Sequence, residues 1–162
     1  MIAIGYNILD YTLPDGLDVV RFRQQLARAM RYIEKCSKDN VRFLHRGLEL
    51  QGGNVKPVNC ARLVNIGFED LSATSGAGEW SRLEAKSGMV DSIAFASNAK
   101  WASGWWSKVL SFKPDLYTVA VHELGHLLGL PHNEESESVM STGARFSTFS
   151  PREIHHLQTM QP

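Results

Sequence analysis

The chain opens with a strand-like pattern that soon gives way to a helical one. Ile2, Ile4, Tyr6 and Ile8 fall on one face of an alternating segment, which predicts a strand over residues 2–9. After a turn at residues 13–16, Asp18 can cap a helix that runs to about residue 35. Its apolar positions recur every three or four residues, at Val19, Phe22, Leu26, Met30 and Ile33, so we expect this helix to pack on a sheet.

The middle of the chain alternates between strand patterns and loops. Strands are predicted over residues 40–48, 61–69, 79–85 and 89–97. Loops rich in Gly, Pro and Ser separate them, around residues 52–57 and 72–78. Trp101, Trp105 and Trp106 lie in an irregular segment, where packing onto the domain is a simpler use than a recognition surface. The pattern of strands and helices is that of an α+β protein.

Two further helices are predicted near the C-terminus. Asp115 can cap a helix that continues through Leu127. Ser150, Pro151 and Glu153 form a capping box with proline at the first helical position, which predicts a final helix.

Length and charge exclude several classes of protein. At 162 residues the chain is interpreted as one domain, residues 1–162. Its 17 basic and 17 acidic residues cancel, so nothing directs it to nucleic acid or to a membrane surface, and no apolar run is long enough to span one. The N-terminus does not read as a signal peptide, and the compartment stays open. Cys36 and Cys60 could pair once, but two free thiols are favoured.

The segment from residue 122 to residue 132 carries the chemistry. His122 and His126 are four residues apart, so on a helix they point the same way and can bind one Zn²⁺. Glu123 lies beside them, where it can accept a proton from a metal-bound water. Gly129 ends the helix and lets the chain turn, which brings His132 back as a third ligand. Three neutral ligands with one open position are typical of a catalytic zinc site.

A bare H-E-x-x-H can arise by chance as a set of surface residues. The third histidine after a glycine turn argues against chance here, as does Met140 soon afterwards. The full pattern H-E-x-x-H-x-x-G-x-x-H followed by a Met-turn resembles that of the metzincin metallopeptidases. The order of strands and helices is similar to the matrixin branch, the catalytic domain of matrix metalloproteinases.

The resemblance implies a metzincin-like fold: a twisted mixed sheet, a backing helix, an active-site helix and a C-terminal helix. It implies that His122, His126 and His132 bind zinc, that Glu123 is the general base, and that Met140 lies beneath the metal. The protein would then be a zinc endopeptidase, expected to be a monomer, acting on a protein or peptide substrate. Two alternatives stay open: a zinc-containing peptide-binding module without turnover, and a zinc amidase acting on a non-protein amide.

The sequence also departs from the family pattern. Secreted members of the family carry an inhibitory pro-segment that contains a cysteine. No such segment is recognisable in this sequence, so we expect either a mature domain or an enzyme that is controlled in another way. The family resemblance suggests a secreted protein. Ala94-Phe95-Ala96 stands where the family has His-Phe-Asp, so one catalytic zinc is expected and a structural zinc is not; calcium loops are not recognisable. Only nine residues separate Met140 from Ser150. In the family this segment lines the pocket for the side chain after the cut bond, which makes Arg145, Phe146 and Phe149 candidate pocket residues.

Overall fold

The computed structural model describes residues 1–15, 17–51, 54–73, 76–85, 88–102, 114–134, 137–142 and 146–161. Within these ranges the helices are α1 (Val19–Cys36), α2 (Leu116–Leu127) and α3 (Pro151–Thr159). The strands are β1 (Ile2–Ile8), β2 (Val41–His45), β3 (Leu48–Gln51), β4 (Asn54–Pro57), β5 (Arg62–Glu69), β6 (Gly78–Ala85) and β7 (Gly88–Ala96).

The main sheet has five strands in the order β2-β1-β5-β7-β6. Parallel pairs join β1 to β2, β1 to β5 and β5 to β7, whereas β6 runs antiparallel to β7. The α+β class predicted from the sequence, a mixed sheet with three helices, is therefore confirmed. Because β6 ends the strand order, the described part of the chain leaves one of its sides without a partner strand.

Helix α1 lies behind the sheet, as its apolar spacing predicted. The Asp18 side chain caps it by accepting from the backbone N–H groups of Val20 and Arg21. Phe22 packs edge-on against Phe68 of β5 and Phe95 of β7, with ring centroids 5.0 and 5.5 Å apart. These contacts belong to one apolar core that extends from Ile2 to Leu157. The core holds α1 and α2 on the same side of the sheet.

One strand prediction was wrong. Residues 40–48 were expected to form a single strand, but the chain turns at Arg46 and Gly47, whose φ angles are 55° and 64°. The segment after this turn is β3, which pairs antiparallel with β4 in a separate two-stranded sheet. Since β4 ends at Pro57, part of the predicted loop at residues 52–57 is a strand.

Two smaller features complete the description. Both Cys36 and Cys60 are free and half-buried, in agreement with the expectation of unpaired thiols. No helix among the described residues combines the length and the apolar character needed to cross a membrane.

Candidate metal centre

Helix α2 is buried along almost its whole length. Asp115 caps it, accepting from the backbone N–H of Thr118 at 3.0 Å and from the Thr118 hydroxyl at 2.7 Å. Two ionisable side chains, His122 and Glu123, are also buried, at 7% and 5% exposure. Burial of such groups costs free energy unless partners compensate for the lost water. Both side chains are therefore expected to have partners that compensate for the lost water.

The chain reverses sharply after α2. Gly129 adopts a left-handed conformation with φ of 86°, which a residue with a side chain rarely adopts. The backbone N–H of Leu130 donates to the carbonyl of Gly125 at 3.0 Å, which closes the turn. As the sequence predicted, this reversal returns His132 to the helix.

The three histidines meet at one point. Nε2 of His126 lies 3.0 Å from Nε2 of His122 and 3.2 Å from Nε2 of His132. Two nitrogens that bind one tetrahedral zinc at 2.0–2.1 Å would lie about 3.3 Å apart. Among the described residues, these three form a cluster of metal-binding side chains. Their spacing fits a zinc ion.

The outer ring nitrogens show which atoms are available to a metal. Nδ1 of His122 lies 2.7 Å from the carbonyl of Val139, and Nδ1 of His126 lies 2.8 Å from that of Leu130. A carbonyl oxygen only accepts, so each Nδ1 carries the proton and each Nε2 presents a lone pair. Lone pairs that converge in this way repel one another unless a cation lies between them.

Burial also favours the neutral imidazole. It lowers the pKa of both His122 and His126, while the hydrogen bonds to Val139 and Leu130 act in the opposite direction. Neutral imidazole is the form that binds a metal.

Met140 lies under the helix that carries two of the histidines. It is fully buried, and a Cβ on Gly125 would come within 2.5 Å of its Sδ atom. Glycine at position 125 therefore allows the sulfur to approach the helix backbone. Glycine inside a helix costs about 1 kcal/mol relative to alanine, so its presence in the predicted helix was a signal that a close contact is made there.

Glu153 of α3 supports the turn that contains Met140. Its buried carboxylate accepts from the Ser138 hydroxyl, from Nδ2 of Asn133 at 2.8 Å and from the backbone N–H of Ser150 at 2.8 Å. Asn133 follows His132, and Ser138 precedes Val139, the acceptor for His122. The predicted capping box is present, but no motif in the sequence indicates that the same carboxylate also reaches the histidine turn.

The Glu123 side chain lies between α2 and β6. Burial raises its pKa to about 7, against the effect of a hydrogen bond from the backbone N–H of Trp80; the charge of Glu79 raises it further. A carboxylate with such a pKa can both accept and return a proton near neutral pH. Trp80 was not singled out from the sequence, because no short motif marks a strand that approaches a helix.

The candidate pocket residues have different positions. Phe149 is buried, and its ring stacks on Tyr32 with centroids 5.7 Å apart. Phe146 is exposed at 37%. Arg145 lies outside the described residues. Their role in a pocket stays a prediction.

The segment Ala94-Phe95-Ala96 of β7, which resembles the family's His-Phe-Asp, is apolar on both faces. Phe95 faces the main core, and Ala94 and Ala96 form a small cluster with Leu71. The expectation of a single zinc stays a prediction.

Comparison with known families agrees with this geometry. The sequence profile of the matrixin family matches residues 65–156, which is more than half of the chain. The match includes the three histidines, Glu123, Met140 and most of the final helix.

Proposed function

The chain belongs to the matrixin family of peptidases, and from that premise we propose that it is a zinc-dependent endopeptidase. The observation that carries this proposal is the convergence of three histidine Nε2 atoms, with that of His126 3.0 and 3.2 Å from the other two, beside a buried glutamate. His122, His126 and His132 would hold the zinc. When bound, zinc supplies a Lewis acid that acidifies water and polarises the carbonyl of a peptide bond.

Glu123 performs the proton transfers in this proposal. Its carboxylate accepts a proton from the water that attacks the peptide carbonyl carbon. The same oxygen then gives the proton to the amide nitrogen as the carbon–nitrogen bond breaks, so that the products are an acid and an amine. General acid–base catalysis of this kind contributes about 10²–10⁴-fold to the rate.

The edge of β6 is the proposed binding surface for the substrate backbone. An extended peptide can add to an exposed strand edge through main-chain hydrogen bonds. Strand β6 ends the strand order, and its first residues lie against the helix that carries Glu123. A peptide added to this edge would therefore run past the metal centre.

Cleavage of a denatured protein tests the proposal. The zinc-loaded chain is incubated with an unfolded protein, with and without a chelator, and the fragments are identified by mass spectrometry. We expect internal cuts that stop with the chelator and resume when zinc is restored. Glu123→Ala, treated in parallel, controls for contaminating peptidases.

Two other results would point to different functions. Zinc binding with retention of peptides but no fragments would indicate a peptide-binding module. Turnover confined to amides outside proteins would indicate an amidase. Either result would contradict the endopeptidase proposal.

A further inference from the structure

Strand β6 approaches the glutamate more closely than any side chain at position 78 would allow. A Cβ on Gly78 would lie 2.6 Å from Cγ1 of Val119 and 2.9 Å from both Cγ and Oε1 of Glu123. Contacts below 3.0 Å are almost never seen for real Cβ atoms. Val119 and Glu123 are four residues apart and share one face of α2. The absent side chain of Gly78 therefore provides the space in which the carboxylate lies.

Two residues further along, Trp80 contacts the same carboxylate and is itself held in place. Its backbone N–H donates to Glu123. Its indole N–H donates to Oδ1 of Asp91 on β7 at 3.2 Å. Asp91 is 2% exposed and also accepts from Nε and Nη2 of Arg82 at 3.1 and 3.3 Å. The N–H that faces Glu123 thus belongs to a residue whose side chain is anchored in the sheet.

We propose that Gly78 and Trp80 are positioning residues for the general base, Gly78 by leaving room for the carboxylate and Trp80 by fixing its orientation. This inference rests on the proposed function of Glu123. A carboxylate held between a backbone wall and an N–H donor reaches the reacting groups without a search among rotamers. Small displacements of a catalytic group cost rate without loss of binding, on the order of 10²-fold for about 1 Å.

A purely structural role for Gly78 has to be separated from this one. The Cβ of an alanine at position 78 would come closest to Val119. In a purely structural role, Gly78→Ala would lower activity merely by pushing β6 away from α2. Adding Val119→Ala removes that contact and leaves the two with Glu123. The double variant therefore distinguishes packing from positioning.

The kinetic experiment uses the full zinc-loaded chain and a quenched peptide that the wild type cleaves. We expect Gly78→Ala to lower kcat by roughly 10–100-fold with one zinc retained, and Val119→Ala to restore thermal stability but not kcat. Gly67→Ala is the matched control, since its Cβ would lie 2.8 Å from Oγ1 of Thr12. It should lose stability and keep kcat. Recovery of kcat in the Gly78→Ala, Val119→Ala double variant would overturn the inference.

A second readout does not depend on turnover. An amide proton that donates to a carboxylate resonates downfield, so the Trp80 amide should move upfield in both Gly78→Ala and Glu123→Ala and should not move in Gly67→Ala. An unchanged Trp80 resonance in Glu123→Ala would overturn the inference even if the protein is a peptidase. If the Trp80 amide moves as expected in the variants but the wild type cleaves no peptide, the proposed function is contradicted. The contact between β6 and Glu123 would then be supported only as packing.

Discussion

The two sides of the candidate metal centre are built in different ways. On one side, the histidine segment (residues 122–132) is oriented by nearby backbone: His126 by Leu130, four residues away, and His122 by Val139, 17 residues away. On the other side, Glu123 is contacted by Gly78 and Trp80 of β6, which precede it by more than forty residues. The proposed metal ligands are therefore arranged mostly by one stretch of chain, whereas the environment of Glu123, the proposed base, depends on tertiary packing.

We therefore expect that mutation can remove turnover without removing the metal, but cannot remove the metal without removing turnover. Variants of the histidine segment should lose metal and turnover together. Variants of the strand side should keep the metal and lose turnover.

His126→Ala should abolish both zinc binding and cleavage. Nε2 of His126 is the atom that lies within 3.0 and 3.2 Å of the other two histidines, so its removal leaves an incomplete ligand set. Metal analysis and peptide cleavage on the same preparation check this. The control is His155→Ala, a change at an exposed histidine of α3 that should affect neither property. A His126→Ala protein that retains one tightly bound zinc would show that the ligands are misassigned.

Glu153→Ala should destabilise the protein and weaken zinc binding. The change removes the carboxylate oxygen that accepts from both the Ser138 hydroxyl and the Ser150 N–H in the interior. Each buried donor left without an acceptor costs about 1–3 kcal/mol. Chemical denaturation and zinc competition titrations measure the two effects, with the exposed neighbour Arg152→Ala as the control. Unchanged zinc affinity would mean that the histidine segment keeps its geometry without support from α3.

Asp91→Asn should loosen β6 and leave the zinc in place. Loss of the charge weakens the contacts to Arg82 and Trp80, with an expected loss of about 1–3 kcal/mol in the free energy of unfolding. Hydrogen exchange should become faster in β6 and stay unchanged in β2, at the far end of the strand order. Ser92→Ala, on the opposite face of β7, is the control. Equal acceleration in both strands would contradict a local role.

The smallest effect concerns the residue after the cut bond. Only nine residues separate Met140 from Ser150, and the family resemblance implies that this segment lines the pocket. We therefore predict a preference for medium or large apolar side chains with weak discrimination among them. One methylene in such a pocket decides about 1–3 kcal/mol. Cleavage-site profiling on a proteome-derived peptide library measures this preference. A dominant acidic residue or glycine at that position would refute it.

The sequence predicted those parts of the fold that are decided within a few residues. Asp18, Asp115 and Ser150 cap the three helices as expected, because a cap is a contact between near neighbours. The histidine cluster follows from helical spacing and one glycine turn. The break at Arg46 and Gly47 was missed, because a turn inside a strand-like pattern depends on the pairing of β3 with β4.

The strand side of the centre could not be predicted for a related reason. Gly78 was assigned to a Ser/Gly-rich loop, although it is the first residue of β6. A glycine that ends a loop and a glycine that admits a neighbouring helix look the same in sequence. Only the register of β6 on β7, which pairs Gly78 with Phe95, places it against Glu123.

The role of Glu123 beside the three histidines is tested by Glu123→Ala, with zinc content and turnover measured on the same preparation and compared with wild type. All three proposed ligands remain in this variant, and only the proposed proton acceptor is removed. We predict one zinc per chain in both proteins, with cleavage of a denatured protein slower in the variant by at least about 10²–10⁴-fold. A variant that cleaves at the wild-type rate, or a wild type that holds no zinc, would contradict the account.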